Sequence, residues 1–383
     1  MSLFRTMELI LRTIEHRSYG VKRLPWELPA ARVYFAEPRG DPKMRVFVTG
    51  ATGFIGSAVV QELLTAGHQV VGLARSEKSA QALTAIGARA LVGSFEDVAT
   101  LRQGAVGANA AIHLAFFHAL SHASLATRLG ILFGGSPGRI VSRFAAAAAS
   151  AERRAIEALG TSLTGSDRAL VVVIPTMALT QGRLATEEDA PDPNSIGGGR
   201  ALSEETALGF ASEGVRSSIV RLAPVVHDRE KQGLVTRVAE VARKKGVSVY
   251  VGQGRNRWSG VHRLDAARLL RLALEKGVAG ARYHAVAEEG VPVREIAEAI
   301  GRRLNVPVAS KSSQEAAEVF GWLAPFIEAD NPVSSRLTQE RLGWRPTGVG
   351  LISDVDGPRR IAAAGQPSGS NRLNTGAPLA GSE

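Results

Sequence analysis

Gly50, Gly53 and Gly56 recur at intervals of three in the run Thr49-Gly50-Ala51-Thr52-Gly53-Phe54-Ile55-Gly56. Arg45-Val46-Phe47-Val48 just before it is β-rich, and residues 57–66 just after it carry apolar side chains at helical spacing, with Gly67 as a stop. In a strand–loop–helix unit of this kind each glycine has a task. Gly50 permits the tight turn out of the strand, Gly53 lets the backbone approach a pyrophosphate, and Gly56 lets the helix pack on the sheet. The helix then presents unpaired N–H groups and the positive end of its dipole to phosphate oxygens. A second strand, Val70-Val71-Gly72-Leu73, follows after about twenty residues, the context that separates a dinucleotide site from a plain glycine turn.

The end of that second strand selects the dinucleotide. An acid there holds the two ribose hydroxyls of NAD, whereas an arginine accepts a 2′-phosphate. The strand runs into Ala74-Arg75-Ser76, with no acid before Glu77, so Arg75 and Ser76 favour NADP, with NAD as the alternative. Among the histidines, His113 ends a strand at the sheet edge where ligands of open α/β sheets bind. His118 and His122 follow it, and His227 with Asp228 follows the Pro224 segment. His118 and His122 have i, i+4 spacing without a carboxylate in place, so no metal site is expected.

These residues need a scaffold, and the apolar pattern supplies one. Further strands are expected at Ala90-Leu91-Val92, Ala110-Ala111-Ile112-His113-Leu114, Leu170-Val171-Val172-Val173-Ile174 and Ser218-Ile219-Val220-Arg221-Leu222, with helices near 77–86 and 203–212. Continuous apolar strands alternating with helices predict a doubly wound parallel α/β Rossmann sheet covered on both faces. At 383 residues the chain is long for one core, and a second, smaller domain is expected. The absence of cysteine excludes disulfides, thiolate metal sites and a cysteine nucleophile. The net charge of +10 is scattered among acids with little aromatic interleaving, a pattern of a basic surface that attracts a phosphorylated cofactor rather than nucleic acid. No apolar run is long enough to span a bilayer, so no membrane partner is expected, and the location reads as cytoplasmic. Residues 1–43 read as an N-terminal extension, mitochondrial targeting being the alternative if they act as a presequence, although Glu8 and Glu15 oppose that. Residues 359–383, rich in Gly, Ser, Pro and Asn, read as a disordered tail.

The glycine loop, with Ile112-His113-Leu114-Ala115 and Val220-Arg221-Leu222-Ala223-Pro224-Val225-Val226, resembles the extended short-chain dehydrogenase/reductases, the NAD-dependent epimerase/dehydratase group. Trp258-Ser259-Gly260-Val261-His262-Arg263-Leu264-Asp265, Tyr283-His284-Ala285-Val286 and Leu342-Gly343-Trp344-Arg345-Pro346 extend the resemblance from Met44 to about residue 358. The resemblance implies a cofactor domain over 44–226 that also takes in about 256–286. It implies a C-terminal α/β substrate subdomain from 227–255 and 287–358, with the site in the cleft between. Thr49, Gly50, Thr52, Gly53, Phe54, Ile55 and Gly56 would line the cofactor, joined by Arg75, Ser76, His113, Leu114 and Ala115. Catalysis in that family uses a Tyr-x-x-x-Lys pair and an upstream Ser or Thr. Thr176 matches the hydroxyl position. Aligned on Glu204, however, the Lys position holds Arg200 and the Tyr position holds Ile196, and Tyr19, Tyr34, Tyr250 and Tyr283 all lie far from it in sequence. The chain therefore resembles an atypical subgroup of the family, without the usual pair.

Two functions follow from this pattern. In the first, the protein is an NAD(P)-dependent oxidoreductase or epimerase/dehydratase-like enzyme acting on a small carbonyl or hydroxyl compound. Thr176 would orient the substrate, Arg200 would hold the ribose, and His227, another histidine or water would supply the proton. In the second it is a non-catalytic NAD(P)-binding redox sensor or scaffold. Residues 119–140 read as an insertion, either a lid over the cleft or a surface excursion. The alanine-rich stretch 145–159 forms a helix whose small face would build a homodimer or pack on its own sheet.

Overall fold

Val46, Phe47 and Val48 are fully buried, as apolar strands must be when helices cover both faces of a sheet. The computed structural model describes residues 44–357 and the two-residue strand β1 (Val33–Tyr34). Apart from that strand, the expectations for 1–43 and for 359–383 lie outside the described residues. The first half alternates as β2 (Arg45–Thr49), α1 (Phe54–Thr65), β3 (Gln69–Ala74), α2 (Glu77–Ala85), β4 (Arg89–Val92), α3 (Val98–Val106) and β5 (Ala110–His113). It continues through α4 (Leu125–Phe133), α5 (Ile140–Leu163), β6 (Ala169–Pro175), α6 (Ala201–Gly209) and β7 (Arg216–Leu222).

After β7 come β8 (Val225–His227), α7 (Gly233–Lys245), β9 (Ser248–Val251), β10 (Arg257–His262), α8 (Arg263–Lys276), β11 (Arg282–Ala285) and β12 (Glu288–Pro292). The chain closes with α9 (Val293–Leu304), β13 (Val308–Lys311), α10 (Ser313–Phe320), α11 (Ala324–Glu328), α12 (Arg336–Leu342) and α13 (Leu351–Asp356). The main sheet has the order β1-β4-β3-β2-β5-β6-β7-β11, with β1 antiparallel to β4 and every other pairing parallel. The doubly wound α/β class expected from the apolar strands is the observed one. The chain winds outward from β2 in one direction, returns, and continues from β5 in the other. The crevice between β2 and β5 is thus the switch point where open α/β sheets bind ligands.

Two apolar cores divide the burial. One joins the sheet to α1 and α8 through Val46, Val48, Val59, Leu63, Ile112, Val171, Leu269 and Leu270. The other gathers Val225, Val235, Trp258, Ile296, Ile300, Phe320 and Val355, around the small sheets β12-β10-β8 and β13-β9. β8 runs parallel to β10, pairing Val225 with Gly260 and His227 with His262, so the chain carries site residues directly from the first core into the second.

The segment 119–140 is ordered as a 3-10 turn, α4 and a second turn. Glu96 anchors it, accepting from the Ser124 N–H at 2.6 Å and the Thr127 hydroxyl at 2.5 Å, while Leu125 and Phe133 are 70% and 77% exposed. Among the described residues no helix is long and apolar enough to cross a membrane.

Candidate functional site

The glycine loop leaves β2 through Gly50, which has φ +69°, a left-handed conformation that a side chain disfavours. A Cβ on Gly50 would lie 3.0 Å from the Ala115 nitrogen and the Leu114 carbonyl carbon, so the loop packs directly on the end of β5. A Cβ on Gly56 would lie 2.0 Å from the Gly50 carbonyl oxygen, which no loop of this shape admits. Gly53 donates its N–H to the same carbonyl at 3.0 Å and, with Thr52, stays exposed toward solvent. The result is a tight backbone cradle in front of the α1 N-terminus, open on the side where phosphates would approach.

Thr49 and His113 fasten that cradle to β5. The Thr49 hydroxyl oxygen accepts from the N–H groups of Leu114 at 3.2 Å and Ala115 at 3.3 Å, and it lies 2.8 Å from His113 Nδ1. With its lone pairs occupied by two donors, the hydroxyl directs its own proton to Nδ1. Burial pushes the His113 pKa down to about 3, helped by the nearby positive charge of Arg200, so the ring is neutral. Its remaining proton therefore sits on Nε2, which is buried and without a hydrogen-bond partner among the described residues. A neutral imidazole with Nε2–H can donate a hydrogen bond but cannot accept a proton there.

Thr176, Arg200 and His227 do not converge on a shared bond. Thr176 is fully buried; its hydroxyl donates to Asn331 Oδ1 at 2.8 Å, and Asn331 Nδ2 donates back to the Thr176 carbonyl at 3.1 Å. Arg200 holds the buried Glu152 of α5 with Nε at 2.9 Å and with Nη2, and Nη2 also donates to the Val173 carbonyl at 2.6 Å. His227 bonds Asp354 of α13 through Nδ1 at 2.8 Å, while its buried Nε2 stays 3.7 Å from Glu288. Ile196 is half-buried against the second core. The Tyr283 hydroxyl accepts from the Val278 N–H at 3.0 Å, and Tyr250 lies in β9 beneath Arg294. Tyr19 and the side chain of Tyr34 lie outside the described residues. Asp265 accepts from the N–H groups of Thr347 and Gly348, and His262 caps α8, so both tie the chain together.

The sequence carried a sign of Glu152 that the motif reading passed over. It sits on the stripe Ala148, Ala151, Ala155, Ile156 and Leu159 of α5, and an acid on a buried stripe demands a cation. Asn331 and Asp354 left no such sign, because their partners are 155 and 127 residues away in sequence.

Cations gather at the crevice mouth. Arg75 is exposed at the end of β3 and, among the described residues, makes no hydrogen bond or ion pair, although it acts on His122 as a like charge. Ser76 uses its hydroxyl to cap α2, accepting from the Ser79 N–H at 3.3 Å. The Arg200 guanidinium lies 4.4 Å above the Phe116 ring, and His118 meets the same ring edge-on at 5.6 Å. Lys231 and Arg263 lie 5.3 Å and 4.9 Å from the ring of Phe54, the first residue of α1. Among the described residues no group of three or more His, Asp or Glu side chains is placed to hold a metal.

A dinucleotide fits this crevice on three observations: glycines whose Cβ atoms would fill the cradle, an orphaned Nε2–H, and Lys231, a cation with no carboxylate partner among the described residues, beside the helix terminus. Comparison with known proteins agrees. A family model described as NAD(P)H-binding matches residues 50–162. An uncharacterized protein of Schizosaccharomyces pombe is 47% identical over 314 residues, covering 82% of this chain and 98% of its own length. An uncharacterized protein of Saccharomyces cerevisiae is 40% identical over 314 residues, with the same coverage of 82% and 98%. The solved dTDP-glucose 4,6-dehydratase DesIV of Streptomyces venezuelae, with NAD bound, superposes with a TM-score of 0.60 at 20% identity, over 82% of this chain and 96% of its own. At that identity the likeness is one of fold.

Proposed function

From an NAD(P)H-binding match and a fold shared with an NAD-bound dTDP-glucose dehydratase, we propose an NADP-preferring enzyme of the extended short-chain dehydrogenase/reductase type that oxidises or reduces a small carbonyl or hydroxyl compound without that family's tyrosine. The NAD(P)H-binding match and the fold support an oxidoreductase or epimerase-type role; the cofactor preference, substrate and proton route are our reading. The observation that carries it is the intact crevice, where the Gly50–Gly56 cradle and the neutral His113 present donors to a dinucleotide. Once bound, the nicotinamide supplies or takes the hydride. Thr49 holds His113 in the tautomer that donates from Nε2, and Arg75 supplies a free cation for a 2′-phosphate. Ile196 cannot exchange a proton, and Arg200 is engaged with Glu152, so the proton must come from water or a histidine such as His118.

That engagement also favours a second reading. With Thr176 tied to Asn331 and Arg200 to Glu152, the positions that would touch substrate are turned toward the protein itself. A sensor or scaffold that binds NADP(H) without turnover fits this arrangement.

One titration and one assay separate these readings. NADPH is expected to bind more tightly than NADH, and Arg75→Ala is expected to weaken NADPH about tenfold while leaving NADH unchanged, equivalent to about 1.4 kcal/mol. Equal affinity for both cofactors in the wild type defeats the NADP preference. Absorbance at the nicotinamide band, followed against a panel of aldehydes and ketones, then tests turnover. Tight NADPH binding with no oxidation by any compound selects the sensor.

A further inference from the structure

Among the described residues, exposed large apolar side chains are scattered along the chain except on α4 and the start of α5. There Leu125, Leu129, Leu132 and Phe133 are 70%, 48%, 39% and 77% exposed, and Val141 is 67% exposed. At helical spacing the four on α4 share one arc of about 100°. The opposite face holds the helix to the protein. Ile131 is buried there, and Glu96 accepts from the Ser124 N–H and the Thr127 hydroxyl. Arg143 of α5 ties down the far end, donating from Nε to the Ile131 carbonyl and from Nη1 to the Ser136 carbonyl, each at 2.8 Å. α4 is therefore a fixed helix whose apolar arc faces water, the reverse of a surface helix that hides its stripe. Glu96 follows β4 and His122 follows β5, so α4 stands at the carboxyl ends of the parallel strands, the edge that carries the glycine loop.

The charge around the arc has one sign. Between Asp97 and Glu152 the chain has no acid, but it has Arg102, Arg128, Arg139 and Arg143. Arg128 borders the arc on α4 and donates to the carbonyls of Ala123 at 2.7 Å and Ser121 at 2.9 Å. Arg143 also uses its donors on carbonyls, and Arg139 is exposed. Main-chain carbonyls satisfy these guanidinium groups without cancelling their charge. A second copy seated on the same arc would set the arginines against one another. An anionic lipid surface meets both features, because apolar side chains enter the acyl boundary while arginines lie against the headgroups. We propose that α4 and the start of α5 form an interfacial docking face by which the protein lies on a membrane surface bearing anionic phospholipid. Lying on a surface needs no spanning helix, and among the described residues there is none. This docking goes beyond the enzyme reading and does not depend on it.

Flotation of the full-length protein with phosphatidylcholine vesicles, with and without phosphatidylserine and with no cofactor added, tests the proposal. Binding is expected to the phosphatidylserine vesicles, to be at least about tenfold weaker to phosphatidylcholine alone, and to fall with added salt. Leu129→Ser combined with Phe133→Ser is expected to weaken binding at least about tenfold with an unchanged thermal midpoint, since both side chains already face water. Arg139→Gln is expected to weaken it about fivefold. No binding, binding indifferent to lipid charge, or undiminished binding in the double variant overturns the proposal. Sedimentation velocity covers the other occupant. A dimer that dissociates in the double variant, with no vesicle binding by the parent, assigns the face to a second copy and overturns the membrane reading. Neither measurement uses NADP or turnover, so failure here leaves the cofactor reading standing, and failure of that reading leaves this test intact.

Discussion

Thr49 gives its hydroxyl proton to His113 Nδ1 across 2.8 Å while accepting from two backbone N–H groups at the end of β5. One side chain thereby satisfies the strand terminus, fixes a histidine tautomer and anchors the glycine loop to β5. Replacing Thr49 with the isosteric valine removes all three bonds and leaves buried polar groups unpaired. Thr49→Val is expected to lower stability by about 1–3 kcal/mol in urea unfolding and to weaken NADPH about tenfold, while Thr49→Ser keeps both near wild type. A valine variant as stable and as tight-binding as the parent would show that the hydroxyl does not hold the loop.

Acid should unfold this protein partly through two histidines. Burial holds His113 and His284 neutral with pKa values pushed down to about 3, assisted by the charges of Arg200 and Arg221 respectively. Below the ordinary histidine value near 6.5 the unfolded chain takes up protons that the folded chain refuses, so stability is lost as pH falls from about 6.5 toward 3. Each histidine contributes a slope of about 1.4 kcal/mol per pH unit in that window. The check is urea unfolding at pH 7.5, 6.5 and 5.5. His113→Leu, though less stable overall, is expected to show a shallower loss between the last two points than wild type. An unchanged slope would mean that His113 titrates normally.

Two ion pairs on α5 should behave differently. Glu152 is fully buried against Arg200, whereas Glu157 and Arg153 lie 3.8 Å apart with side chains 53% and 40% exposed. Glu152→Ala strands a half-buried guanidinium and is expected to cost about 3–5 kcal/mol. Glu157→Ala should change stability by less than about 0.5 kcal/mol, because water screens that pair. Paired denaturation curves decide it, and comparable losses from both would remove the structural role given to Glu152.

The elements themselves were legible in the sequence. β2, β3, β4 and β6 fall where apolar runs end in a glycine, a helix cap or a proline, β5 where one ends at His113, and β7 around the shorter run Ile219-Val220, since a parallel strand buried on both faces is largely apolar. The arginine at position 200 was legible as a departure from the family pattern, but its consequence was not. Glu152 lies 48 residues earlier, and nothing local reports that two charges will meet under Phe116. The histidines show the same limit. The sequence placed His113 at a strand end, His118 and His122 just beyond it and His227 after the Pro224 segment; packing turned His227 to Asp354, His113 to Thr49 and the His118 ring against Phe116.

The sequence by itself determined the sheet, its winding and the tight glycine loop, because strand periodicity and the steric demands of Gly50 and Gly56 act within a few residues of chain. Only the tertiary structure decided what each polar side chain does. The proton on His113, the counter-ion of Arg200, the partner of Thr176 and the stacking of Arg200 on Phe116 all depend on groups brought together from 48 to 155 residues apart. A hydrogen bond or ion pair of that separation is set by packing, and packing leaves no periodic trace in the chain.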